Sequence, residues 1–139
     1  MKGFVVGCGH SGTMWAAAAL REIARIDARH ESWRRKIGKD FRGVESNGNL
    51  WNRLEDLARI FPEARVLHIV RDGRLVVRTI MTKRTRPPDF FEAACRRWAG
   101  RNDRLSVAIC NADRFRLEDL VSDYRVFRAF AMKLGAKQR

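Results

Sequence analysis

The chain has 139 residues, with 29 Lys and Arg against 16 Asp and Glu, and therefore a formal net charge of +13 at pH 7. This length predicts one domain with a real core, and the charge indicates an anionic partner, which is a nucleotide, a polyanionic glycan, a nucleic acid or an acidic membrane surface. No apolar run reaches the roughly 18 residues of a membrane span. The three separated cysteines favour neither disulfides nor a metal site, so we expect a cytoplasmic protein without a metal.

The first predicted elements are a strand, a glycine-rich loop and a helix. Residues 4–6 form a short apolar, β-branched run that predicts a buried strand. Gly7, Gly9 and Gly12 follow, and an alanine-rich segment at 13–26 then predicts a helix. This order forms a cradle for phosphate, because successive backbone N–H groups converge on the anion and the helix dipole favours negative charge. We expect the chemistry of the protein to begin at this loop.

The loop keeps the glycine spacing of a triphosphate-binding P-loop but lacks its lysine. That motif reads G-x-x-x-x-G-K-[ST], in which the lysine reaches the β- and γ-phosphates and the hydroxyl holds Mg²⁺. Gly7 and Gly12 have the required separation, whereas Thr13 occupies the lysine position. No later strand ends in a clear metal-binding Asp, because the best candidate runs into Arg71-Asp72. The pattern favours a phosphate-like ligand over the hydrolysis of ATP or GTP.

The remaining segments predict strands and helices in alternation, which is typical of a three-layer α/β/α domain with a parallel sheet. Further strands are expected at residues 28–31, 64–70 and 114–117. Further helices are expected at about residues 50–61, 74–82, 89–110 and 118–134. The polar, basic segment at 34–48 is punctuated by glycine and predicts a surface loop.

A second anion-binding position is predicted beyond the strand at 64–70. In open parallel sheets ligands bind beyond the carboxyl ends of the strands, which is also the edge of the glycine-rich loop. Arg71 follows the strand, and Thr79 lies eight residues later, two turns into the next helix. A guanidinium fork and a hydroxyl at this spacing can hold one phosphate. The alternative is an ion pair of Arg71 with a neighbouring acid.

Together, these two positions resemble the sulfotransferases that use 3′-phosphoadenosine 5′-phosphosulfate (PAPS). The 5′-phosphosulfate loop of that family is similar to the sequence GHSGT at residues 9–13. Its 3′-phosphate site is similar to IVRDGR at residues 69–74, with Thr79 at the position of the family's Ser or Thr.

Two more segments add to the resemblance. The sequence FRLEDL at residues 115–120 is similar to a family element that precedes the closing helix, and His30-Glu31 resembles a His-Glu pair of some bacterial members. The resemblance covers about residues 4–135. It implies a P-loop NTPase-like fold and a single sulfotransferase-like domain over 1–139, without the C-terminal extension of longer members.

The resemblance implies how PAPS would be held. Backbone N–H groups of the loop would bind the 5′-phosphosulfate, and Arg71 and Thr79 would bind the 3′-phosphate. His10 would act catalytically by assisting the oxygen that leaves with adenosine 3′,5′-bisphosphate (PAP). No metal is implied. The residues that would bind the nucleotide are Gly9, His10, Ser11, Gly12, Thr13, Met14, Arg71 and Thr79.

The resemblance also implies an acceptor side. Glu31 would be the general base that takes the proton of an acceptor hydroxyl, with His30 as the alternative base. His30 and Trp33 are the residues expected to contact the acceptor. The basic segment at 34–42 hints at an anionic or carbohydrate hydroxyl as the acceptor.

Two other functions stay open from the sequence. One is a non-catalytic domain that binds a polyanion or nucleic acid on a degenerate P-loop scaffold, which the basic clusters at 34–36 and 83–86 favour. The absence of a nucleic-acid-binding motif and the presence of both phosphate positions make nucleic acid the weaker prediction. The other is a small-molecule kinase, against which the missing P-loop lysine counts.

Overall fold

Five parallel strands form one sheet in the computed structural model, which describes residues 2–32, 41–83, 86–108 and 112–137. The strands are β1 (Lys2–Val6), β2 (Ala28–His30), β3 (Gly43–Asn47), β4 (Arg65–Val70) and β5 (Asp113–Arg116). Their order in the sheet is β2-β3-β1-β4-β5, and each adjacent pair is parallel. The carboxyl ends of all five strands therefore meet at one edge, with β1 in the middle.

Six α-helices lie among the described residues and cover both faces of this sheet. They are α1 (Thr13–Glu22), α2 (Leu54–Ile60), α3 (Gly73–Thr82), α4 (Phe90–Ala108), α5 (Leu117–Ser122) and α6 (Tyr124–Lys133). Helices α2, α3 and α4 share one hydrophobic core, and α1, α5 and α6 share the other. The arrangement is consistent with the predicted three-layer architecture. None of the helices in the described ranges is long and apolar enough to cross a bilayer.

Strand β1 shows why its sequence is a continuous apolar run. Phe4, Val5 and Val6 are all completely buried. Phe4 and Val6 belong to the core on one face, whereas Val5 belongs to the core on the other. A strand that is covered on both sides needs apolar residues at every position, so it lacks polar alternation.

The prediction of a surface loop over 34–48 is wrong at its C-terminal end, where β3 lies in the interior of the sheet. Glu45, Ser46 and Asn47 are at most 1% exposed, and three buried polar residues in a row carry no strand signature. Their polar groups are satisfied by tertiary hydrogen bonds, such as that from Ser46 Oγ to the carbonyl oxygen of Thr13 at 2.6 Å. Residues 33–40 lie outside the described residues.

The predicted helix over 118–134 is two helices instead of one. Asp123 leaves the helical conformation (φ −125°, ψ 111°), and its side chain accepts a hydrogen bond from the backbone N–H of Arg125. It is therefore the N-cap of α6. The first helix is also shorter than predicted, because it ends at Glu22 and Arg25 adopts a left-handed conformation with φ 55°.

Candidate functional site

The candidate site is a cleft of about 580 Å³ at the carboxyl edge of the sheet. The glycine-rich loop after β1 forms its floor, and the residues that follow β2, β3 and β4 line its sides. Positions from α3, α4 and the segment after α3 form another wall. The parallel topology explains this convergence, because every strand of the sheet ends at this edge.

The glycine-rich loop depends on its glycines for both backbone conformation and space. Gly9 and Gly12 have φ values of 81° and 97°, in the left-handed region that glycine tolerates best. A Cβ atom on Gly7 would lie 1.9 Å from Ser11 Oγ, and one on Gly12 would lie 2.5 Å from a methyl group of Leu117. The loop therefore packs tightly beneath the cleft. Ser11 is buried, and its hydroxyl has no hydrogen-bond partner in the described part of the chain.

The N-terminus of α1 opens into the cleft without a cap of its own. Its N-cap residue is Gly12, which has no side chain to accept a hydrogen bond, and the first turn contains no acid. No backbone hydrogen bond among the described residues uses the N–H group of Ser11, Gly12 or Thr13. Because these donors and the helix dipole point to one place, an anion fits there.

Arg71 reaches the glycine-rich loop from the end of β4. Its Nη1 donates to the carbonyl oxygen of His10 at 2.9 Å and lies 3.5 Å from Thr79 Oγ1. Thr79 Oγ1 itself donates to Leu75 O at 2.8 Å, so it is an acceptor for Arg71. Arg71 and the loop therefore contact each other, and Thr79 lies just behind Arg71.

Arg71 forms no ion pair with an acid among the described residues, although Asp72 is next to it. Asp72 pairs with Arg74 at 2.6 Å and caps α3 through the backbone N–H of that residue. These hydrogen bonds from Arg74 lower the pKa of Asp72 to about 2. The guanidinium of Arg71, with its remaining N–H donors, is therefore available to a ligand in the cleft.

His30 and Glu31 reach the cleft at the end of β2. The Nε2 atom of His30 lies 3.4 Å from Thr13 Oγ1 and 3.9 Å from Glu31 Oε1. Glu31 has a left-handed backbone with φ 49°, as does His10 with φ 53°. Strained non-glycine residues concentrate at functional sites, where the surrounding structure maintains them. Trp33, predicted to contact the acceptor, lies outside the described residues.

A chain of polar residues that the sequence analysis missed fixes the carboxylate of Glu31. Asn49 Nδ2 donates to Glu31 Oε1 at 3.1 Å, and the backbone N–H of Asn49 donates to Asn47 Oδ1 at 2.8 Å. Asn47 in turn donates to the buried Glu45, which also accepts hydrogen bonds from Ser32 at 2.5 and 2.9 Å. No pattern in the sequence links these residues, because the contacts depend on the pairing of β2 with β3.

The wall of the cleft formed by α4 is basic, which the sequence analysis also missed. Arg101 Nη1 donates to the carbonyl oxygen of Cys8 at 3.0 Å, and its guanidinium lies 5.2 Å from the centre of the Trp51 ring. Burial, together with the charge of Arg97, lowers the pKa of Arg101. Arg97 and Arg101 are four residues apart on α4, a spacing that places them on one face and was a usable signal.

The donors and acceptors in the cleft suit an anion better than a metal ion. Backbone N–H groups, guanidinium groups and an ammonium group face it, whereas Glu31 is the one carboxylate among its described lining residues. No group of three His, Cys, Asp or Glu side chains in the described ranges could hold a metal ion. The arrangement can bind an anionic ligand and, at Glu31, accept a proton from a neighbouring group.

Comparison with known proteins does not assign a family. Neither the protein-family models nor the curated proteins contain a match to the chain. The functional interpretation therefore depends on the cleft itself. It contains an uncapped helix N-terminus, an arginine that forms no ion pair within the described ranges, and a carboxylate that Asn49 orients.

Proposed function

We propose that the protein is a PAPS-dependent sulfotransferase with a P-loop NTPase-like sulfotransferase fold. It would transfer the sulfuryl group of PAPS to a hydroxyl of a small molecule or carbohydrate. One observation carries the proposal: the uncapped N-terminus of α1 and the guanidinium of Arg71 meet in one cleft, with Arg71 Nη1 2.9 Å from His10 O. Two anion-binding positions this close suit a nucleotide with phosphates on both sides of its ribose.

The described residues fit this donor. The volume of about 580 Å³ is within the range of roughly 300–1,000 Å³ that is usual for ligand sites. The N–H groups of Ser11, Gly12 and Thr13 would hold the 5′ group, with Gly9, His10 and Met14 beside it. Arg71 would hold the 3′-phosphate, and the hydroxyl of Thr79 would join it by turning its proton from Leu75 O towards the phosphate. Recognition of that phosphate would distinguish PAPS from simple adenosine phosphates.

The chemistry would need positioning and positive charge rather than a metal. Bound PAPS supplies an activated sulfuryl group, whose transfer resembles phosphoryl transfer in that charge spreads over the equatorial oxygens. The N-terminus of α1 would stabilise that charge, since its N–H groups are already oriented. His10 lies on the loop where it would assist the leaving oxygen.

Glu31 would remove the proton of the acceptor hydroxyl. Asn49 holds one carboxylate oxygen at 3.1 Å, which fixes the side chain while the other oxygen stays available. A base positioned in this way contributes roughly 10²- to 10⁴-fold to the rate. His30, 3.9 Å from Glu31 Oε1, would contact the acceptor beside the base.

A thermal-shift experiment with adenosine nucleotides tests the proposal. Adenosine 3′,5′-bisphosphate without Mg²⁺ should raise the unfolding temperature by several degrees at about 100 times its dissociation constant, where linkage adds about 2.7 kcal/mol. ATP with Mg²⁺ should give a clearly smaller shift. A larger shift with ATP and Mg²⁺ would favour a kinase, and salt-sensitive binding of a polyanion without any nucleotide effect would favour a polyanion-binding domain.

A further inference from the structure

Several arginines on the outer surface form ion pairs with acids close to them in sequence. Arg74 pairs with Asp72, Arg125 pairs with Asp123, and Arg96 on α4 pairs with Glu92 one turn earlier. Such pairs are the ordinary way in which a basic chain limits repulsion between its own charges. They provide a reference for the cations that line the cleft.

The cations on the α3–α4 side of the cleft have no such partner. Lys83, Arg86, Arg97 and Arg101 all line it, and no carboxylate within the described ranges forms an ion pair with any of them. Arg97 follows Arg96 directly in the sequence of α4. Arg96 points away from the cleft and pairs with Glu92, whereas Arg97 lines the cleft. Arg86 and Arg101 are partly buried, whereas Lys83 and Arg97 are exposed. Like charges gathered on one wall repel one another until an anion binds between them.

Two of these arginines are already oriented around one aromatic ring. The guanidinium carbons of Arg86 and Arg97 lie 4.6 and 5.6 Å from the centre of the Phe90 ring. Cation–π contacts of this kind restrict a guanidinium without using its hydrogen-bond donors. Arg86 Nε is buried and has no hydrogen-bond partner among the described residues. The pair is thus held ready to donate hydrogen bonds to a ligand.

Arg101 differs from Arg86 and Arg97 because it already donates a hydrogen bond to the protein backbone. It donates to Cys8 O at 3.0 Å and lies over Trp51, so its role is to support the glycine-rich loop. Under the proposed function, the loop and Arg71 account for the anionic groups of the nucleotide. Lys83, Arg86 and Arg97 are then left without a ligand.

We propose that the acceptor molecule itself carries an anionic group, and that Lys83, Arg86 and Arg97 bind that group on the α3–α4 side of the cleft. This inference rests on the proposed function, which assigns the nucleotide to the loop and Arg71. The group is a carboxylate, sulfate or phosphate, because a pair of guanidinium groups binds each of these through charge-assisted hydrogen bonds. The acceptor is therefore an acidic molecule with a free hydroxyl, such as an acidic sugar.

A matched pair of sugars tests this inference. p-Nitrophenyl β-glucuronide and p-nitrophenyl β-glucoside differ only in a carboxylate in place of a hydroxymethyl group. We expect the glucuronide to bind about tenfold more tightly, the scale of one charge-assisted contact. The double variant Arg86→Gln/Arg97→Gln should reduce this preference to about twofold or less and leave the affinity for adenosine 3′,5′-bisphosphate unchanged. Titration calorimetry measures all three ligands.

The control removes the same charge elsewhere. Arg128 on α6 and Lys137 just after that helix are exposed, and Arg128→Gln/Lys137→Gln should keep the preference for glucuronide. An equal loss of preference in both double variants would show a general charge effect and overturn the inference. So would an unchanged preference in Arg86→Gln/Arg97→Gln, or a loss of bisphosphate affinity there, since these arginines would then serve the nucleotide.

The proposed function and this inference can fail separately. Each sugar is titrated with and without saturating adenosine 3′,5′-bisphosphate. If the bisphosphate does not bind, the proposed function fails, whereas the comparison of the sugars on the free protein still decides whether the basic wall selects an anion. Equal binding of the two sugars under both conditions would overturn the inference alone.

Discussion

Helices α1 and α6 have the same length of ten residues but begin in opposite ways. Asp123 caps α6 by accepting a hydrogen bond from the N–H of Arg125 at 2.8 Å, and its carboxylate pairs with the same arginine at 3.0 Å. Gly12 leaves α1 without a cap, and no acid occupies its first turn. The chain thus places a carboxylate at the N-terminus of α6 but none at the N-terminus of α1, where an anionic ligand would provide the negative charge.

The largest effect is expected at Glu31, the proposed base beside the uncapped N-terminus of α1. Glu31→Gln should lower turnover about 10²- to 10⁴-fold, because the amide cannot take the proton of the acceptor. Binding of adenosine 3′,5′-bisphosphate should stay within about twofold of wild type, since the residues proposed to bind the nucleotide are unchanged. The assay is sulfuryl transfer to a hydroxyl acceptor found in a panel of sugars.

The matched control for this change is Glu22→Gln, at an exposed position at the other end of α1. It should keep full turnover. Full turnover of Glu31→Gln would show that another group, with His30 the nearest, is the base.

The imidazole of His68 is a second polar group without a hydrogen-bond partner in the described part of the chain. It differs from the N-terminus of α1 because it is buried in the core, where a ligand cannot reach it. His68 is 1% exposed, and neither ring nitrogen has a hydrogen-bond partner among the described residues. Burial, with a smaller effect from the charge of Arg114, lowers the pKa of His68 from 6.5 to about 4. Between these two pKa values the unfolded chain binds a proton that the folded protein does not.

The free energy of unfolding should therefore rise with pH across that window. His68 should contribute about 3 kcal/mol of stability above pH 6.5, most of which is lost as the pH falls towards 4. Denaturant titrations at several pH values measure the slope, and His68→Leu should remove most of it. An equal slope in His68→Leu would assign the acid sensitivity to other groups.

Placing a carboxylate at the open helix end should make α1 resemble α6. Met14 is 66% exposed in the first turn, so Met14→Asp fits without repacking. The helix dipole should keep stability equal or slightly higher, whereas the affinity for adenosine 3′,5′-bisphosphate should fall about tenfold by repulsion. Met14→Asn supplies the same shape without the charge. Equal affinities of the two variants would contradict an anion site at this N-terminus.

The smallest effect is expected from removing the carboxylate that caps the N-terminus of α6. Asp123→Ala removes the cap of α6 and should lower the unfolding temperature by about 3 °C. Nucleotide affinity should not change, because no residue of α6 lines the cleft. Calorimetry of both properties checks this, and a change in affinity would show that the two helix ends are coupled.

The fold was predictable wherever burial follows a simple period. The apolar runs of β1 and β4 and the alternation of strands with helices were enough for a parallel α/β sheet. Strand β3 was missed because Glu45, Ser46 and Asn47 are buried through partners elsewhere in the chain. Those partners include Ser32 and Thr13, which no local pattern identifies.

The candidate site was predictable where its residues follow strand ends. The spacing of Arg71 and Thr79 placed a guanidinium near a hydroxyl, and the two side chains lie 3.5 Å apart. Asn49 was missed because its contact with Glu31 depends on strand pairing. Arg101 was missed because the helix face that it occupies is set by the packing of α4, even though its spacing from Arg97 was a usable signal.

The most direct test of the central claim combines the removal of Arg71 with the removal of the 3′-phosphate. Dissociation constants of adenosine 3′,5′-bisphosphate and adenosine 5′-phosphate are measured for the wild type, Arg71→Ala and the control Arg74→Ala, whose guanidinium is exposed and paired with Asp72. We predict that Arg71→Ala weakens the bisphosphate by about 1.5–3 kcal/mol, or roughly 10- to 150-fold, and the 5′-phosphate by less than about threefold. Arg74→Ala should change neither constant. Equal weakening of both nucleotides by Arg71→Ala, or of neither, would contradict the assignment of Arg71 to the 3′-phosphate and with it the proposed enzyme.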